Sequence, residues 1–122
     1  MPHLNIEYTA NIAAALDVPA ALREINIGLL ATGIIDSPEQ MKSRATRLEQ
    51  YRVGNFDDGE AFIHARMHIM AGRSYAQRQQ LGEAVVAGIR MALAPVAGLR
   101  VQITVEVNEM LADTYQKVVI TP

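Results

Sequence analysis

Two features of this 122-residue chain have residue types and positions that can do chemistry. Gly72-Arg73-Ser74 sets an arginine immediately before a helix start, where the macrodipole is positive and the first backbone amides lack partners. A cation there is mildly disfavoured by itself. It becomes favourable when guanidinium and amides together hold an anion, and a carboxylate matches the two-pronged guanidinium geometry. The second feature is Pro2. Removal of an initiator methionine before so small a residue would expose a secondary amine in place of an amide nitrogen. An α-amino group titrates near pH 8, and partial burial together with nearby arginines would lower that toward neutrality, where a general base works best. Pro2 shares strand parity with the apolar Leu4, Ile6 and Tyr8, which favours partial burial.

Other chemistries find little support. His64 and His68 form H-x-x-x-H, a metal pair on a helix, but on a strand four residues at about 3.3 Å each hold the imidazoles roughly 13 Å apart. Asp57-Asp58-Gly59 reads as a solvated turn, and no G-x-S-x-G elbow, P-loop or G-x-G-x-x-G is present. The chain contains no cysteine, so it offers no disulfide, thiolate nucleophile or cysteine-ligated metal, and a reducing cytoplasm suits it. Eleven basic against thirteen acidic residues give a net charge of −2. That balance argues against nonspecific nucleic-acid binding, which needs clustered cations. The start, MPHLNIEYTA, is no signal peptide, and no apolar stretch is long enough to span a membrane. The expectation is a soluble, cytoplasmic protein with neither nucleic-acid nor membrane partners. Nine of the eleven cations are arginine.

The elements that must position these residues follow from periodicity. Leu4, Ile6 and Tyr8 alternate with His3, Asn5 and Glu7, predicting a strand over 3–9. Asp17 can cap a helix with Pro19 in its first turn, and Val18, Ala21, Leu22, Ile25 and Leu29 carry it over 18–32 until Gly33. Residues 37–53 are ambiguous. Ser37-Pro38-Glu39-Gln40 is a good capping box, favouring a helix that ends before Gly54, while the competing reading is a one-turn helix at 38–41 and a poorly alternating strand at 43–52. Ala61 to Ala71 alternate with Phe62 to Met70, giving a strand over 60–70. A second Ser-x-x-Gln box at Ser74 and Gln77 starts a helix over 75–94, closed by Pro95. Leu99, Val101, Ile103, Val105 and Val107 mark a strand over 99–108, and Val118-Val119-Ile120 could form another that pairs with a neighbouring subunit.

With 43–52 as a strand, the chain is an α+β protein. It is one domain over 1–122 made of two β-α-β halves, about 1–56 and 57–122, whose four-stranded sheet carries both helices on one face. The other face, with His64, Arg66 and Gln102, is then left uncovered. Self-association around a wet or arginine-lined interior is expected. The same element string also fits an antiparallel ferredoxin-like domain, a non-catalytic module that binds a small anion at Arg73.

The sequence resembles the 5-carboxymethyl-2-hydroxymuconate isomerase family of the tautomerase superfamily. The residues that carry the resemblance are P-H-L-N-I-E-Y at 2–8, Asn11-Ile12, A-T-G-I at 31–34, Ser43-Arg44, and A-G-R-S-x-x-x-R-Q-x-x-G-E from Ala71 to Glu83, spread over most of the chain to about residue 107. It implies a doubled β-α-β fold, a homotrimer, and a cofactor-independent, metal-free isomerase of aromatic-compound catabolism that uses an amino-terminal proline as general base. It also implies a turn and then a strand in 37–53. Pro2 then corresponds to the proton-shuttling nitrogen and Arg73 to a ligand for a substrate carboxylate. Where the family typically shows Arg-Ser-Arg, this chain has Lys42-Ser43-Arg44. Lysine keeps the charge and loses the planar fork, so Arg44 is the stronger carboxylate ligand of the two. The implied substrate is an unsaturated 2-hydroxy-carboxylate, with a simpler arylpyruvate keto–enol pair as the alternative.

Overall fold

The computed structural model describes residues 2–122. Four strands, β1 (His3–Thr9), β2 (Lys42–Leu48), β3 (Glu60–Met70) and β4 (Arg100–Met110), and two helices, α1 (Val18–Ala31) and α2 (Tyr75–Ala92), alternate as two β-α-β units. The sheet order is β2-β1-β3-β4. Each unit pairs its own strands in parallel, β1 with β2 and β3 with β4, and the units join through antiparallel β1 and β3. This mixed pairing rules out the antiparallel ferredoxin-like alternative. A helical crossover between adjacent strands returns the chain in the same direction, so each β-α-β unit becomes a parallel pair.

Period-two alternation decides the faces. Leu4 and Ile6 in β1, and Ala61, Ile63, Ala65, Met67 and Ile69 in β3, are buried together with Ala21, Ile25 and Leu29 of α1 and Leu81, Val85 and Ile89 of α2. The opposite face is polar. Arg66 donates to Glu7 at 2.7 Å and stands 3.6 Å from Glu106, tying β1, β3 and β4 together, while His64 Nδ1 lies 2.7 Å from Thr104 Oγ1. His64 and His68 belong to this face. Each sits opposite a residue of a neighbouring strand, with His64 level with Glu7 and His68 level with His3.

Three local readings need correction. The Ser37 box starts no long helix, only a 3-10 turn at Pro38–Gln40 without a side-chain cap. The Glu39 carboxyl there is held below its ordinary range, first by its own backbone N–H and then by the Ser37 hydroxyl. Sheet pairing then claims the segment, but only as far as Leu48, so the strand is shorter than 43–52. The tail is no strand in a single copy. It makes a turn at Ala112–Thr114 and continues without regular structure, leaving Val118, Val119 and Ile120 exposed. Helix α2 ends at Ala92, slightly before the expected 94, because Leu93 pairs with Leu16 in an isolated antiparallel bridge.

The helices meet at Gly88, where an added Cβ would lie 2.8 Å from the backbone nitrogen of Ile25 and 2.9 Å from its Cα. Backbone cannot yield as a flexible side chain does. At Gly28 an added Cβ would make only ordinary contacts of 3.8 Å with Ala84. Gly88→Ala should therefore destabilise the fold by about 1–3 kcal/mol through overpacking, whereas Gly28→Ala should stabilise it by roughly 0.5–1 kcal/mol through helix propensity. Denaturant midpoints of the two variants would check this, and equal shifts would contradict the close approach.

Candidate active site

The residues of interest gather at one end of the sheet, where β1 and β2 begin and β3 runs out into α2. Pro2 is buried there, and its carbonyl accepts a hydrogen bond at 3.1 Å from the backbone N–H of Lys42. This bond continues the parallel ladder in which His3 pairs with Lys42 and Asn5 with Arg44. The register divides Lys42-Ser43-Arg44 between the two faces. Ser43 turns to the helix layer and donates to Asn26 Oδ1 at 3.0 Å. Lys42 and Arg44 share the open face with His3 and Asn5. Pro2 has the parity of Leu4 and so takes the helix side, whereas Arg44, level with Asn5, takes the open side.

Arg44 is held rather than loose. Its Nε–H donates to Asn5 Oδ1 at 2.7 Å, and its Nη2 lies 3.1 Å from His3 Nδ1. Lys42 Nζ turns back to the Gln40 carbonyl at 3.2 Å, a weaker anchor for a side chain with three rotatable donors. The His3 imidazole is kept below the ordinary histidine range, first by burial and then by the positive charges of Arg44 and Lys42. Its Nε2 lies 3.0 Å from the Tyr115 hydroxyl.

Arg73 reaches the same end of the sheet from the α2 side. Helix α1 stops in Ala31-Thr32-Gly33-Ile34, where the Thr32 hydroxyl donates to Leu29 O at 2.6 Å and accepts from Ile34 N–H at 3.2 Å, and Gly33 takes φ +73°. That turn presents the Ile34 carbonyl, which accepts from Arg73 Nη2 at 3.4 Å. Gly72, at φ +121°, supplies backbone that an L side chain would strain. The free amides expected at the start of α2 are partly used. The capping box is complete, with Gln77 N–H donating to Ser74 Oγ at 3.1 Å and Ser74 N–H donating to Gln77 Oε1 at 2.9 Å. Glu109 of β4 also places a carboxylate there, accepting from Gly72 N–H at 3.3 Å and from Arg78 Nη1 at 3.2 Å. The start of α2 is thus engaged within the chain, while the Arg73 guanidinium hydrogen-bonds an uncharged carbonyl.

The sequence put Arg44 on a strand and Arg73 just before a helix, as the structure has them, and Pro2 just ahead of β1; Lys42, expected ahead of a strand from 43, is the first residue of β2. It missed what surrounds them: His3 and Asn5 beside Arg44, Tyr115 beside His3, and Glu109 beside Gly72. The His3, Asn5 pair carries a readable signal, two polar residues of one parity beside an expected arginine-bearing strand. The Tyr115 contact carries none, because 112 positions separate it from His3. Among the described residues, no group of three or more His, Cys, Asp or Glu is placed to hold a metal ion, and no helix is long and apolar enough to cross a membrane.

Known proteins resemble this chain in sequence and in fold. The family model described as 5-carboxymethyl-2-hydroxymuconate isomerase matches residues 2–121. A 5-carboxymethyl-2-hydroxymuconate Delta-isomerase from Escherichia coli is 34% identical over 83 residues, a match that spans 68% of this chain and 65% of that protein. The crystal structure of a 5-carboxymethyl-2-hydroxymuconate isomerase from Deinococcus radiodurans R1 superposes with a TM-score of 0.84 at 30% identity, covering 96% of this chain and 88% of that one. A second structure, of a 5-carboxymethyl-2-hydroxymuconate delta-isomerase, gives 0.80 at 25% identity over 98% and 88% of the two chains.

The surroundings of His3 have a consequence for stability. Its proton affinity is lower folded than unfolded, so between the ordinary histidine pKa near 6.5 and its lowered folded value the unfolded chain binds more protons. Stability should fall as pH drops through that window and the penalty should level off below it. Urea midpoints between pH 7.5 and 5 should decline less in His3→Asn than in the parent; parallel declines would contradict the assignment.

Proposed function

The chain belongs to the 5-carboxymethyl-2-hydroxymuconate isomerase family, and on that premise we propose that it ketonises 5-carboxymethyl-2-hydroxymuconate with Pro2 as the general base. The observation that carries this reading is the position of Pro2, buried where β1 begins, at the end of the sheet to which Lys42, Arg44 and Arg73 also belong. The substrate is a conjugated dienol with three carboxylates, so its recognition calls for several fixed cations and no apolar cleft of large volume.

In the proposed reaction the neutral amine of Pro2 takes the proton of the 2-hydroxyl. As the C2–O bond becomes a carbonyl, the C2=C3 pair moves to C3–C4 and the C4=C5 pair takes up a proton at C5. The Pro2 ammonium returns the proton it removed, so protons and electrons balance within the substrate and the amine. Buried surroundings and neighbouring cations both disfavour a charged amine, which brings its pKa toward neutrality. Arg73 and Arg44 hold carboxylates and stabilise charge as it redistributes over the dienolate, with Lys42 as a weaker contributor. Each step uses only side chains and the terminal amine, so the reaction calls for no cofactor.

The base exists only after Met1 is removed, because in the longer chain the Pro2 nitrogen is an amide. The working form is further proposed to be a cytoplasmic homotrimer, supported by the polar face with Glu7, Arg66 and Glu106 that a single copy leaves uncovered. Intact mass should show the loss of one methionine. In verified Met-free protein, Pro2→Ala should lower kcat by roughly 10²–10⁴-fold, the range of positioned acid–base catalysis. Arg73→Ala should lower kcat/KM by roughly 10–100-fold, as expected for one charge-assisted hydrogen bond. Pro2→Ala turning over the dienol as fast as the parent would overturn the mechanism, and activity confined to an arylpyruvate would move the substrate to a simpler keto–enol pair.

A further inference from the structure

We propose that Tyr115 and His3 form a relay that positions Arg44, in which the phenol anchors the imidazole through its Nε2–H and the bare Nδ1 of that imidazole fixes the plane of the guanidinium. The inference rests on the reading of Arg44 as a carboxylate ligand and adds what makes that arginine competent.

The direction of every hydrogen bond in the relay follows by elimination. A guanidinium is always charged and only donates. Arg44 Nη2 lies 3.1 Å from His3 Nδ1, so Nδ1 must offer a lone pair. A neutral imidazole with a bare Nδ1 carries its proton on Nε2. That nitrogen lies 3.0 Å from the Tyr115 hydroxyl, so Nε2–H donates and the phenol oxygen accepts. The rings meet edge to face, with centroids 6.2 Å apart and an interplanar angle of 63°. Arg44 Nε–H is meanwhile held by Asn5 Oδ1 at 2.7 Å. Two fixed contacts from one strand define the plane of the fork and leave its other N–H groups for a carboxylate.

The charges around His3 keep this arrangement in place. Burial comes first, and then Arg44 and Lys42 from β2 and His68 from β3; all favour a neutral ring. A proton on Nδ1 would set two donors against each other and release Arg44. Holding a long, rotamer-rich side chain in its binding geometry beforehand reduces the entropy lost when a ligand arrives. The tail, which forms no strand in a single copy, thereby acquires a role through one phenol.

Long-range ¹H–¹⁵N spectra of the Met-free protein test the tautomer without any substrate. The expected result at pH 7.5 is a protonated Nε2 and a bare Nδ1 on His3, and a protonated Nδ1 would overturn the relay. Steady-state kinetics on 5-carboxymethyl-2-hydroxymuconate test its purpose. His3→Ala should raise KM by roughly two- to tenfold with little change in kcat, in line with one lost hydrogen bond to a charged group. His3→Asn, whose Oδ1 stands near the lost Nδ1, should recover most of that affinity, and Tyr115→Phe should raise KM by less than His3→Ala does. Against an Arg44→Ala background, His3→Ala should add nothing. If Arg44→Ala leaves KM unchanged, the carboxylate reading of Arg44 fails and the relay loses its purpose with it. If Arg44→Ala raises KM but His3→Ala acts equally in both backgrounds, or His3→Asn restores nothing, that reading stands and the relay is overturned.

Discussion

The parallel pairing of β1 with β2 is the interaction on which the rest depends. Its first rung, from Lys42 N–H to the Pro2 carbonyl, fixes both the depth of Pro2 and the register that sets Asn5 beside Arg44. A slip of one residue would move Arg44 to the helix face and Ser43 to the open face, exchanging a cation for a hydroxyl beside His3. The pairing also overrides a strong local signal. Residues 37–53 carry a helix-start box, yet the edge of β1 has backbone donors and acceptors that need partners, and a strand satisfies them along seven paired positions.

From that register follows an economy of charge. The open face neutralises its own ions, with Arg66 between Glu7 and Glu106 and Arg100 held by Glu60 at 2.7 Å. At the end of the sheet the pattern changes. Arg44, Lys42 and Arg73 make hydrogen bonds to amides, carbonyls and an imidazole, all uncharged acceptors, and the Glu39 carboxylate acts on Lys42 only through space. Glu109, the nearby carboxylate at the start of α2, is engaged with Gly72 and Arg78. The contrast between ion pairs along the sheet and cations bonded to neutral acceptors at its end is what the proposal of a small polyanionic substrate rests on.

Much of this was legible in the residues. Alternation in 3–9, 60–70 and 99–108 predicted three strands to within two residues, because one buried face imposes a period of two. The caps at Asp17 and Ser74 were equally readable, since their bonds reach only three residues ahead. Pro2 and Arg73 were singled out for their chemistry, a latent amine and a guanidinium at a helix start. The resemblance placed β2 correctly where local propensity pointed to a helix, although it did not foresee that the strand would stop at Leu48.

Residue types and near neighbours suffice to say which residues bear charge, which faces are buried and where the helices begin. Tertiary structure alone decided what surrounds the charges. Only the folded register brings His3 to Arg44, only the path of the tail brings Tyr115 to His3, and only the turn after α1 offers the Ile34 carbonyl to Arg73. These contacts join residues far apart in the chain, and no local pattern encodes a distance that the whole fold must close. The arginine at 44 was written in the sequence; its orientation was settled by pairing.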